Sequence, residues 1–289
     1  MTSKYVFSIE LPKGYNLELT LYPSFTYPFY RSLGNVLVKD IGVCRGTTFT
    51  FYSDRVVVEG NCSRDTIEEL LGLWFNPWNY IDDVDPEYRD YVQDLIERYH
   101  GVRLAISSED KIWLFISVFL SRTTSFHTNT VRWIRKIALH GLDHFIREGY
   151  GFVGNSFQLK QLWILLNTTD LVKLISSFNP RSLHNSWRIR RKLLKYRFVG
   201  VKTVDAFLLF STPHSFFTPI DRHYKRFLMM RFQLRGYREP LSHLCRRYDC
   251  SFCPLASRCL SFFSRRVFGR LGGWIQTLSY LAGNRLVRI

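Results

Sequence analysis

The stretch RFVGVKTVDAFLLF, residues 197–210, combines a short turn with the start of a new helix. The preceding residues 181–196 have helical periodicity, and a second helix is predicted from Lys202. Gly200 can take the positive φ that such a tight turn needs. Several backbone N–H groups would then point outward together at the helix N-terminus, where the helix dipole favours one phosphate. These N–H groups belong to Val199, Gly200 and Val201. The pattern indicates a helix-hairpin-helix element that holds a nucleic-acid backbone without reading its sequence, and a plain αα-hairpin is the alternative.

Two side chains beside this turn suit nucleophilic chemistry. Lys202 lies at the start of the second helix, where the dipole disfavours an ammonium, and burial beside other cations would favour the neutral amine further. A neutral lysine amine can attack a carbon electrophile and form a Schiff base. Asp221, in the stretch TPIDRH at residues 218–223, is the predicted N-cap of the next helix, which stabilises its anion. The pair suits attack at a deoxyribose C1′, because Asp221 would stabilise the positive charge left as a base departs. A surface lysine and an ordinary helix cap are the alternative.

The composition favours a polyanionic partner. The chain has 40 Lys and Arg against 24 Asp and Glu, a formal net charge of +16, with a dense basic stretch at residues 188–197. Such a field attracts nucleic acid through counterion release, although the charge can also serve solubility alone. The N-terminus lacks a signal-peptide pattern, and the apolar run IWLFISVFL at residues 112–120 is too short to cross a bilayer. We therefore expect an intracellular protein of the cytoplasm or nucleoid without a membrane partner. No group of carboxylates suggests the two-metal chemistry of a nuclease.

Four cysteines lie within fifteen residues, in the stretch CRRYDCSFCPLASRC at residues 245–259. They are Cys245, Cys250, Cys253 and Cys259, with the spacing C-x4-C-x2-C-x5-C. Disulfides are disfavoured in a reducing compartment, and a structural zinc site usually has two close pairs separated by a longer spacer. One short loop can instead wrap a compact cubane, in which each iron takes one thiolate. The sequence therefore favours a [4Fe–4S] cluster with a structural role, and zinc is the alternative. Cys44 and Cys62 lie far upstream and are interpreted as buried apolar residues rather than ligands.

The hydrophobic periodicity predicts a mainly α protein. Residues 4–60 alternate with a period of two, including Leu17, Leu19 and Leu21, which predicts a small antiparallel sheet with one covered face. From Asp65 onward the period is helical. The predicted architecture is an N-terminal antiparallel β module plus two helical subdomains with a helix-hairpin-helix motif at their junction. The β module spans 1–78, one helical subdomain combines 79–118 with 222–289 and holds the cysteine loop, and the other spans 119–221.

With these residues in view, a family resemblance becomes specific. FVGVKTVDA and TPIDRH together resemble the helix-hairpin-helix, Lys and Asp signature of the endonuclease III superfamily of DNA glycosylases, most closely the 8-oxoguanine DNA glycosylase branch. Residues 99–124 are similar to that branch's segment leading into its DNA-inserting loop. Residues 270–280, RLGGWIQTLSY, are similar to its base-pocket helix, and residues 16–31 to its N-terminal sheet segment. The resemblance covers nearly the whole chain except the cysteine loop.

The resemblance implies roles for individual residues. Lys202 matches the nucleophile that forms the Schiff base, and Asp221 matches the essential carboxylate. His223 matches a position that contacts a DNA phosphate. Gln276 matches the pocket glutamine that reads the edge of the flipped base, and Tyr280 stands where the family has a stacking phenylalanine. Trp274, on the same predicted helix, is a further candidate for the base pocket.

The chain also departs from the family pattern. Phe198 stands at the family's first hairpin glycine, so the turn is expected to have a different shape. The loop that fills the hole left by the flipped base is SRTTSFH here, with Arg122 as the candidate plug and Thr123 and Phe126 nearby. Ala206 replaces a cysteine found in the pocket of some members. The glycine that distinguishes 8-oxoguanine from guanine has no clear counterpart in YPSFTYPF, and most 8-oxoguanine enzymes lack a four-cysteine loop.

These observations predict a bifunctional DNA glycosylase and AP lyase of base excision repair. It would bind double-stranded DNA as a monomer, flip a damaged base out of the stack, and excise it through the lysine Schiff base before β-elimination. An oxidised base, 8-oxoguanine, is the predicted lesion. The alternatives are a glycosylase for an oxidised pyrimidine, a deaminated base or an alkylated base, and a non-catalytic protein that binds lesions in DNA.

Overall fold

A five-stranded antiparallel sheet precedes the helical part of the chain, which confirms the predicted fold class. The structure, a computed structural model, describes residues 5–289; residues 1–4 of the module predicted over 1–78 lie outside the described residues. The strands are β1 (Tyr5–Glu10), β2 (Tyr30–Leu33), β3 (Val36–Lys39), β4 (Thr48–Phe51) and β5 (Arg55–Gly60). They are ordered β1-β5-β4-β3-β2, so the first strand pairs with the last.

One face of the sheet is covered, as the period-two pattern predicts. Ile9 pairs with Val56 across β1 and β5, and Phe49 pairs with Val58 across β4 and β5. All four side chains are buried. Because alternate residues of a strand point to opposite faces, this register directs one row of apolar side chains into the core.

The predicted strand that contains Leu17, Leu19 and Leu21 is a helix instead. Helix α1 spans Leu17–Leu21, and the side chain of Asn16 caps it by accepting a hydrogen bond of 2.9 Å from the amide of Leu19. An asparagine cap stabilises a helix start directly, whereas the alternating leucines are too few to specify a strand. The prediction of a strand there was wrong.

Cys44 and Cys62 are bonded to each other and are not isolated apolar residues. Their Cα atoms lie 5.2 Å apart, because the hairpin of β4 and β5 returns the chain across the 18 residues that separate them. The interpretation of these cysteines as buried apolar residues was wrong. The sequence contains no local signal for the pairing, since register in the sheet brings them together.

The helices predicted from residue 65 onward are present. They are α2 (Arg64–Leu70), α3 (Arg89–Tyr99), α4 (Lys111–Leu120), α5 (Val131–His140), α6 (Leu142–Glu148), α7 (Phe157–Thr168), α8 (Leu171–Ser176), α9 (Leu183–Leu193), α10 (Val201–Ser211), α11 (Arg222–Arg231), α12 (Ser242–Arg247), α13 (Leu260–Phe268) and α14 (Gly272–Gly283). Gly141, with a φ of +93°, separates α5 from α6. No helix within residues 5–289 combines the length and apolarity that a membrane span requires.

Helix α10 is the centre of the helical part. Every residue of α10 is buried except Lys202, which lies at its exposed start. The ring of Phe207 on α10 meets the ring of Phe115 on α4 edge to face at 5.8 Å. On its other side, Asp205 forms a bidentate ion pair with Arg190 of α9, with N–O distances of 2.5 and 3.0 Å. These contacts fix the orientation of α10, and with it the position of Lys202.

A second buried ion pair joins the sheet to the helices. Lys39, at the end of β3, donates hydrogen bonds to Asp110 (2.7 Å) and to the carbonyl of Ile41 (2.6 Å). Asp110 also accepts from the amide of Val43 and the hydroxyl of Ser107. Both charged groups are thereby satisfied, which is the condition for burying them.

Candidate functional site

The hairpin between α9 and α10 has a conformation that the sequence does not predict. Phe198 carries the positive φ, at +66°, and Gly200 has an extended conformation with φ −103° and ψ 170°. The expectation that Gly200 takes the positive φ was therefore wrong. A phenylalanine in the left-handed region is strained because its Cβ lies close to the backbone. The surrounding structure must hold it there.

The start of α10 leaves backbone N–H groups available for an anion. The first hydrogen bond of the helix runs from the amide of Val204 to the carbonyl of Gly200, at 3.1 Å. The amides that precede Val204 in this turn have no acceptor within the helix. The amide of Val199, in contrast, donates to the carbonyl of Tyr196 within the turn. The side chains of Val199 and Val201 are buried, whereas those of Arg197 and Lys202 are exposed on either side of the turn.

Arg122, the predicted plug for the DNA hole, is engaged within the protein. Its Nε donates to the carbonyl of Phe119 (2.8 Å), its Nη1 to the carbonyl of Phe198 (2.7 Å) and its Nη2 to Oε1 of Gln161 (2.8 Å). The guanidinium also lies over the ring of Phe119, 3.7 Å from its centroid. Burial lowers the pKa of Arg122 to about 10, so the group is still charged at neutral pH. In this arrangement Arg122 cannot extend into DNA.

The rest of the predicted inserting loop is partly exposed. Thr123 is exposed, and it has a positive φ of +49°. Phe126 packs edge to face against Phe25, with ring centroids 5.2 Å apart. Of the three residues considered for the DNA hole, Thr123 is the most exposed at the tip of this loop.

Lys202 and Asp221 line the same cleft, which has a volume of about 510 Å3. The cleft also contains Arg222, Lys225, Arg226 and Glu239. Lys225 pairs with Glu239 at 2.7 Å, so the residues that line the cleft leave Lys202, Arg222 and Arg226 against one acid, Asp221. Lys202 is exposed at the rim of the cleft, whereas the sequence predicts that it is buried beside other cations. The cleft is therefore positively charged and open, which suits a phosphodiester chain.

Asp221 is fixed by hydrogen bonds to both of its carboxylate oxygens. Oδ1 accepts from the amide of Tyr224 at 2.8 Å, the N-cap interaction that the sequence predicts. Oδ2 accepts from Nε2 of Gln276 at 2.7 Å. Gln276 is itself buried on α14, so this bond joins the predicted pocket helix to the start of α11. The side-chain amide of Gln276, which the sequence predicts to read a flipped base, thus orients the carboxylate of Asp221 in this structure.

A row of aromatic rings extends from this point. The ring of Tyr280 on α14 lies 6.2 Å from that of Tyr22, which stacks at 3.9 Å on the imidazole of His127. Burial, together with Tyr22 and Asp221, raises the pKa of Tyr280 to about 12. Burial lowers the pKa of His127, whose buried Nε2 has no hydrogen-bond partner within residues 5–289. The rings of Tyr280 and Tyr22 are inclined at 42° to each other, and aromatic faces of this kind are surfaces on which planar bases stack.

His223 borders a second, larger cavity on the other side of α11. Its ring meets that of Tyr280 edge to face at 5.7 Å, and it lies against Gly283, where a Cβ would come within 1.8 Å of its Nδ1. The cavity has a volume of about 860 Å3 and is also lined by Arg222 and Arg226. Because these two arginines line both cavities, a continuous basic surface passes along α11.

Two of the predicted pocket residues belong to the core. Trp274 is fully buried, and its indole Nε1 donates to the carbonyl of Val102 at 2.8 Å. It lies on α14 with Gln276 and Tyr280, but it packs away from their cleft. Ala206, on α10, is also buried. The structure does not bring Trp274 to the candidate pocket.

The four cysteines of the predicted cluster site line one cavity. All four are free; Cys245 and Cys259 are buried, and Cys250 and Cys253 are partly exposed. Burial raises the pKa of the Cys245 thiol to about 11, and Arg265 donates a hydrogen bond of 2.8 Å to the sulfur of Cys250. No group of three or more His, Cys, Asp or Glu side chains in residues 5–289 has the arrangement of ligands around one metal ion. Four sulfur donors around a common cavity nevertheless supply the donor set that an iron–sulfur cluster requires.

The cysteine loop is attached to the first helix of the hairpin. Asp249, next to Cys250, pairs with Arg191 of α9 at 2.6 Å. Arg265 and Arg190 both lie over the ring of Trp187, also on α9, at 5.0 and 5.6 Å. The loop and the hairpin therefore form neighbouring parts of one surface.

The sequence did not identify Tyr22, His127 or Gln161 as functional candidates. Each belongs to a segment far from the hairpin in sequence, and the fold brings it to the site. An available signal was the concentration of aromatic residues in YPSFTYPFY at 22–30, which exceeds what one covered sheet face needs.

Solved structures with the same fold are DNA glycosylases. No family model and no curated protein matches the chain. The apo structure of the 8-oxoguanine glycosylase/lyase of Clostridium acetobutylicum aligns with a TM-score of 0.67 and 14% identity over 96% of this chain and 97% of that chain. Its complex with double-stranded DNA containing cytosine opposite 8-oxoguanine gives 0.65 and 15% over 96% and 98%. The 3-methyladenine DNA glycosylase of Archaeoglobus fulgidus gives 0.67 and 16% over 98% and 100%. At these identities the likeness establishes the shared fold.

Proposed function

We propose that this protein is a DNA glycosylase with AP lyase activity, which excises a damaged base by means of Lys202. The observation that carries the proposal is that Lys202 and Asp221 line one basic cleft at a helix-hairpin-helix turn. Neighbours of the same fold are an 8-oxoguanine glycosylase/lyase and a 3-methyladenine glycosylase, and one of them is bound to lesion-containing duplex DNA.

DNA would approach through its backbone. A phosphate can accept hydrogen bonds from the free amides at the start of α10, where the helix dipole also favours an anion. The basic surface along α11, including Arg222, His223 and Arg226, would hold the neighbouring phosphates. Binding of this kind fixes the register of the protein on DNA without reading its sequence.

The flipped base would enter between Tyr280 and Tyr22. The two rings now lie 6.2 Å apart and are inclined at 42° to each other. Tyr22 would have to move away from Tyr280 and turn parallel to it before a planar base could stack between them. Gln276, which lies on the same helix as Tyr280, would offer its amide to the edge of the base once its bond to Asp221 is released or shared.

The chemistry would follow from the positions of the amine and the carboxylate. The amine of Lys202 attacks C1′, the glycosidic bond breaks, and the base leaves with the bonding electrons and takes up the proton that the attacking nitrogen releases. Asp221, oriented by Tyr224 and Gln276, stabilises the positive charge that builds up on the sugar. Opening of the sugar ring gives the imine, and loss of a C2′ proton then expels the 3′ phosphate. DNA covering the exposed rim would exclude water from the amine.

The cofactor proposed for the cysteine loop is a [4Fe–4S] cluster, with zinc as the alternative. Cys245, Cys250, Cys253 and Cys259 would hold it, and when bound it would supply a cross-link within residues 245–259, a loop that the Asp249–Arg191 ion pair joins to α9. Iron and sulfide analysis with absorption near 400 nm tests this directly. A colourless protein with one zinc per chain would overturn it in favour of zinc.

The test of the proposed activity is borohydride trapping on a panel of duplexes, each with one damaged base. We expect a covalent adduct with the wild-type protein, none with Lys202→Gln, and a normal adduct with Lys225→Gln. The last variant is the matched control, because Lys225 is another lysine of the same cleft. An adduct with Lys202→Gln would refute the nucleophile, and DNA binding without base release from any duplex would indicate a lesion-binding protein.

The panel also identifies the base. 8-Oxoguanine is the proposed lesion, and an alkylated base is the second candidate because two tyrosine faces suit an electron-poor ring. Oxidised pyrimidines and deaminated bases complete the panel. Release of one base in preference to the others assigns the substrate.

A further inference from the structure

We propose that Arg122 is a positioning residue that holds the hairpin turn in its strained conformation and thereby sets the position of Lys202. The sequence assigns Arg122 to the DNA hole, but its three hydrogen bonds run inward. One of them, at 2.7 Å, ends on the carbonyl of Phe198, the residue with the left-handed backbone. Four residues later the chain reaches Lys202.

The strain at Phe198 is what requires such a contact. A glycine adopts a φ of +66° without cost, whereas a phenylalanine there favours relaxation to an extended or helical conformation. Relaxation would rotate the peptide that follows Phe198 and turn its carbonyl away. The hydrogen bond from Arg122 is lost on that rotation, so it stabilises the strained state selectively.

The guanidinium is held rigidly enough to act in this way. The acceptors of its other two hydrogen bonds lie on regular helices, Phe119 on α4 and Gln161 on α7. The plane of the guanidinium also packs on the ring of Phe119. The carbonyl of Arg122 itself accepts a bond of 2.8 Å from Gln158, which is buried on α7. Arg122 therefore transmits the position of α4 and α7 to the hairpin.

The charge of Arg122 is a second contribution at the same place. All three of its acceptors are neutral oxygens, so no carboxylate cancels the charge through these bonds. Burial lowers its pKa only to about 10, which leaves the guanidinium charged at neutral pH. A phosphate at the hairpin would feel this charge at short range through protein of low dielectric constant.

The test is a double-mutant cycle with Arg122→Met, Phe198→Gly and the combined variant. The first readout is affinity for a duplex with an abasic-site analogue that cannot be cleaved, measured at one fixed salt concentration. We expect about tenfold weaker binding by Arg122→Met, because fewer molecules hold the competent turn. Phe198→Gly should bind within about threefold of wild type, since glycine keeps the turn without strain. The combined variant should recover most of the loss.

Two controls separate position from charge. Arg132→Met removes an exposed arginine of α5 and tests the loss of one charge elsewhere; we expect a change of less than about threefold. Arg122→Lys keeps the charge without the three-way contact, so it should bind DNA more tightly than Arg122→Met but remain weaker than wild type. Wild-type affinity of Arg122→Met, or no recovery in the combined variant, would overturn the proposal.

The cycle has a readout that does not depend on DNA. Thermal unfolding of the same four proteins gives the coupling between positions 122 and 198. The effect of Arg122→Met is measured once with phenylalanine and once with glycine at position 198, and the difference between the two effects does not contain the cost of losing the phenylalanine ring itself. We expect Arg122→Met to lower the melting temperature less when residue 198 is glycine. The effect on DNA rests on the proposed function, whereas this coupling does not. Additive melting temperatures would refute the positioning role, and a failure of borohydride trapping alone would refute only the glycosylase.

Discussion

Replacement of Asp205 by asparagine tests how firmly the hairpin is fixed to the rest of the molecule. Asp205 and Arg190 are each about 2% exposed, and they pair through two N–O contacts of 2.5 and 3.0 Å. Burial alone would lower the pKa of Arg190, but the Asp205 carboxylate raises it well above its usual value. Because an arginine side chain stays protonated in proteins even when it is buried, the guanidinium remains charged in the Asp205→Asn variant, where it has lost its anion.

The magnitude follows from the burial of both partners. Removal of one partner of a buried pair costs about 3–5 kcal/mol, because the remaining charge stays desolvated. With about 2.1 cal/mol/K per residue, a chain of 289 residues has an unfolding entropy of about 0.6 kcal/mol/K. The melting temperature should therefore fall by about 5–8 °C. Arg190→Met combined with Asp205→Leu removes both charges, and we expect it to stay within about 2 kcal/mol of wild type.

Differential scanning calorimetry measures these changes, and Asp94→Asn is the control. Asp94 pairs with Arg98 on the exposed face of α3, with side chains 57% and 42% exposed, so its loss should cost less than about 1 kcal/mol. Equal destabilisation by Asp205→Asn and Asp94→Asn would refute the reasoning. So would a double replacement as damaging as Asp205→Asn alone, because the cost would then lie in lost packing and not in an unpaired charge.

Further predictions concern the base pocket, the sheet and the histidines. Tyr22→Ala should slow base release about ten- to a hundredfold but should not affect cleavage at preformed abasic sites, because an abasic site has no base to stack. Tyr22→Phe, which keeps the ring, is the control. Equal losses of base release and of abasic-site cleavage would contradict the stacking role. Lys39→Met should destabilise the protein by about 3–5 kcal/mol in urea unfolding, since Asp110 stays buried without its cation; a change below about 1 kcal/mol would exclude a firmly paired site. Burial lowers the pKa values of His127 and His214 in the folded protein. As the pH falls below about 6.5, these histidines therefore take up protons in the unfolded state before they do so in the folded state. The free energy of unfolding should decrease over this range, until the pH reaches the pKa values of the folded protein. His214→Phe should weaken this decline, and a pH profile unchanged by it would show that His214 makes no contribution.

The local elements of this protein could largely be predicted from its sequence. The apolar period of two gave most of the sheet, and helical periodicity gave α2 to α9, because both patterns reflect burial of one face. The N-cap role of Asp221 was also local, since it needs only a carboxylate one residue before a helix. The prediction of a strand at Leu17–Leu21 was wrong because the helix cap at Asn16 outweighs a short alternating pattern.

The candidate site could be predicted only in part. The hairpin and the TPIDRH stretch suggested that Lys202 and Asp221 share a cleft, and the structure brings them together. The interior of the site was not accessible in this way. Whether Arg122 points outward, and whether Trp274 faces the pocket, depends on which helices pack around each side chain.

The sequence by itself determined the sheet followed by helices, the positive charge, the clustered thiols, and an amine and a carboxylate that both follow a hairpin turn. These properties depend on neighbours within a few residues or on composition. The tertiary structure alone decided that Phe198 and not Gly200 carries the left-handed backbone, that Cys44 bonds to Cys62, and that Gln276 orients Asp221. Each of these results from contacts between residues distant in the chain, and their energies exceed local conformational preferences only when the whole core has assembled.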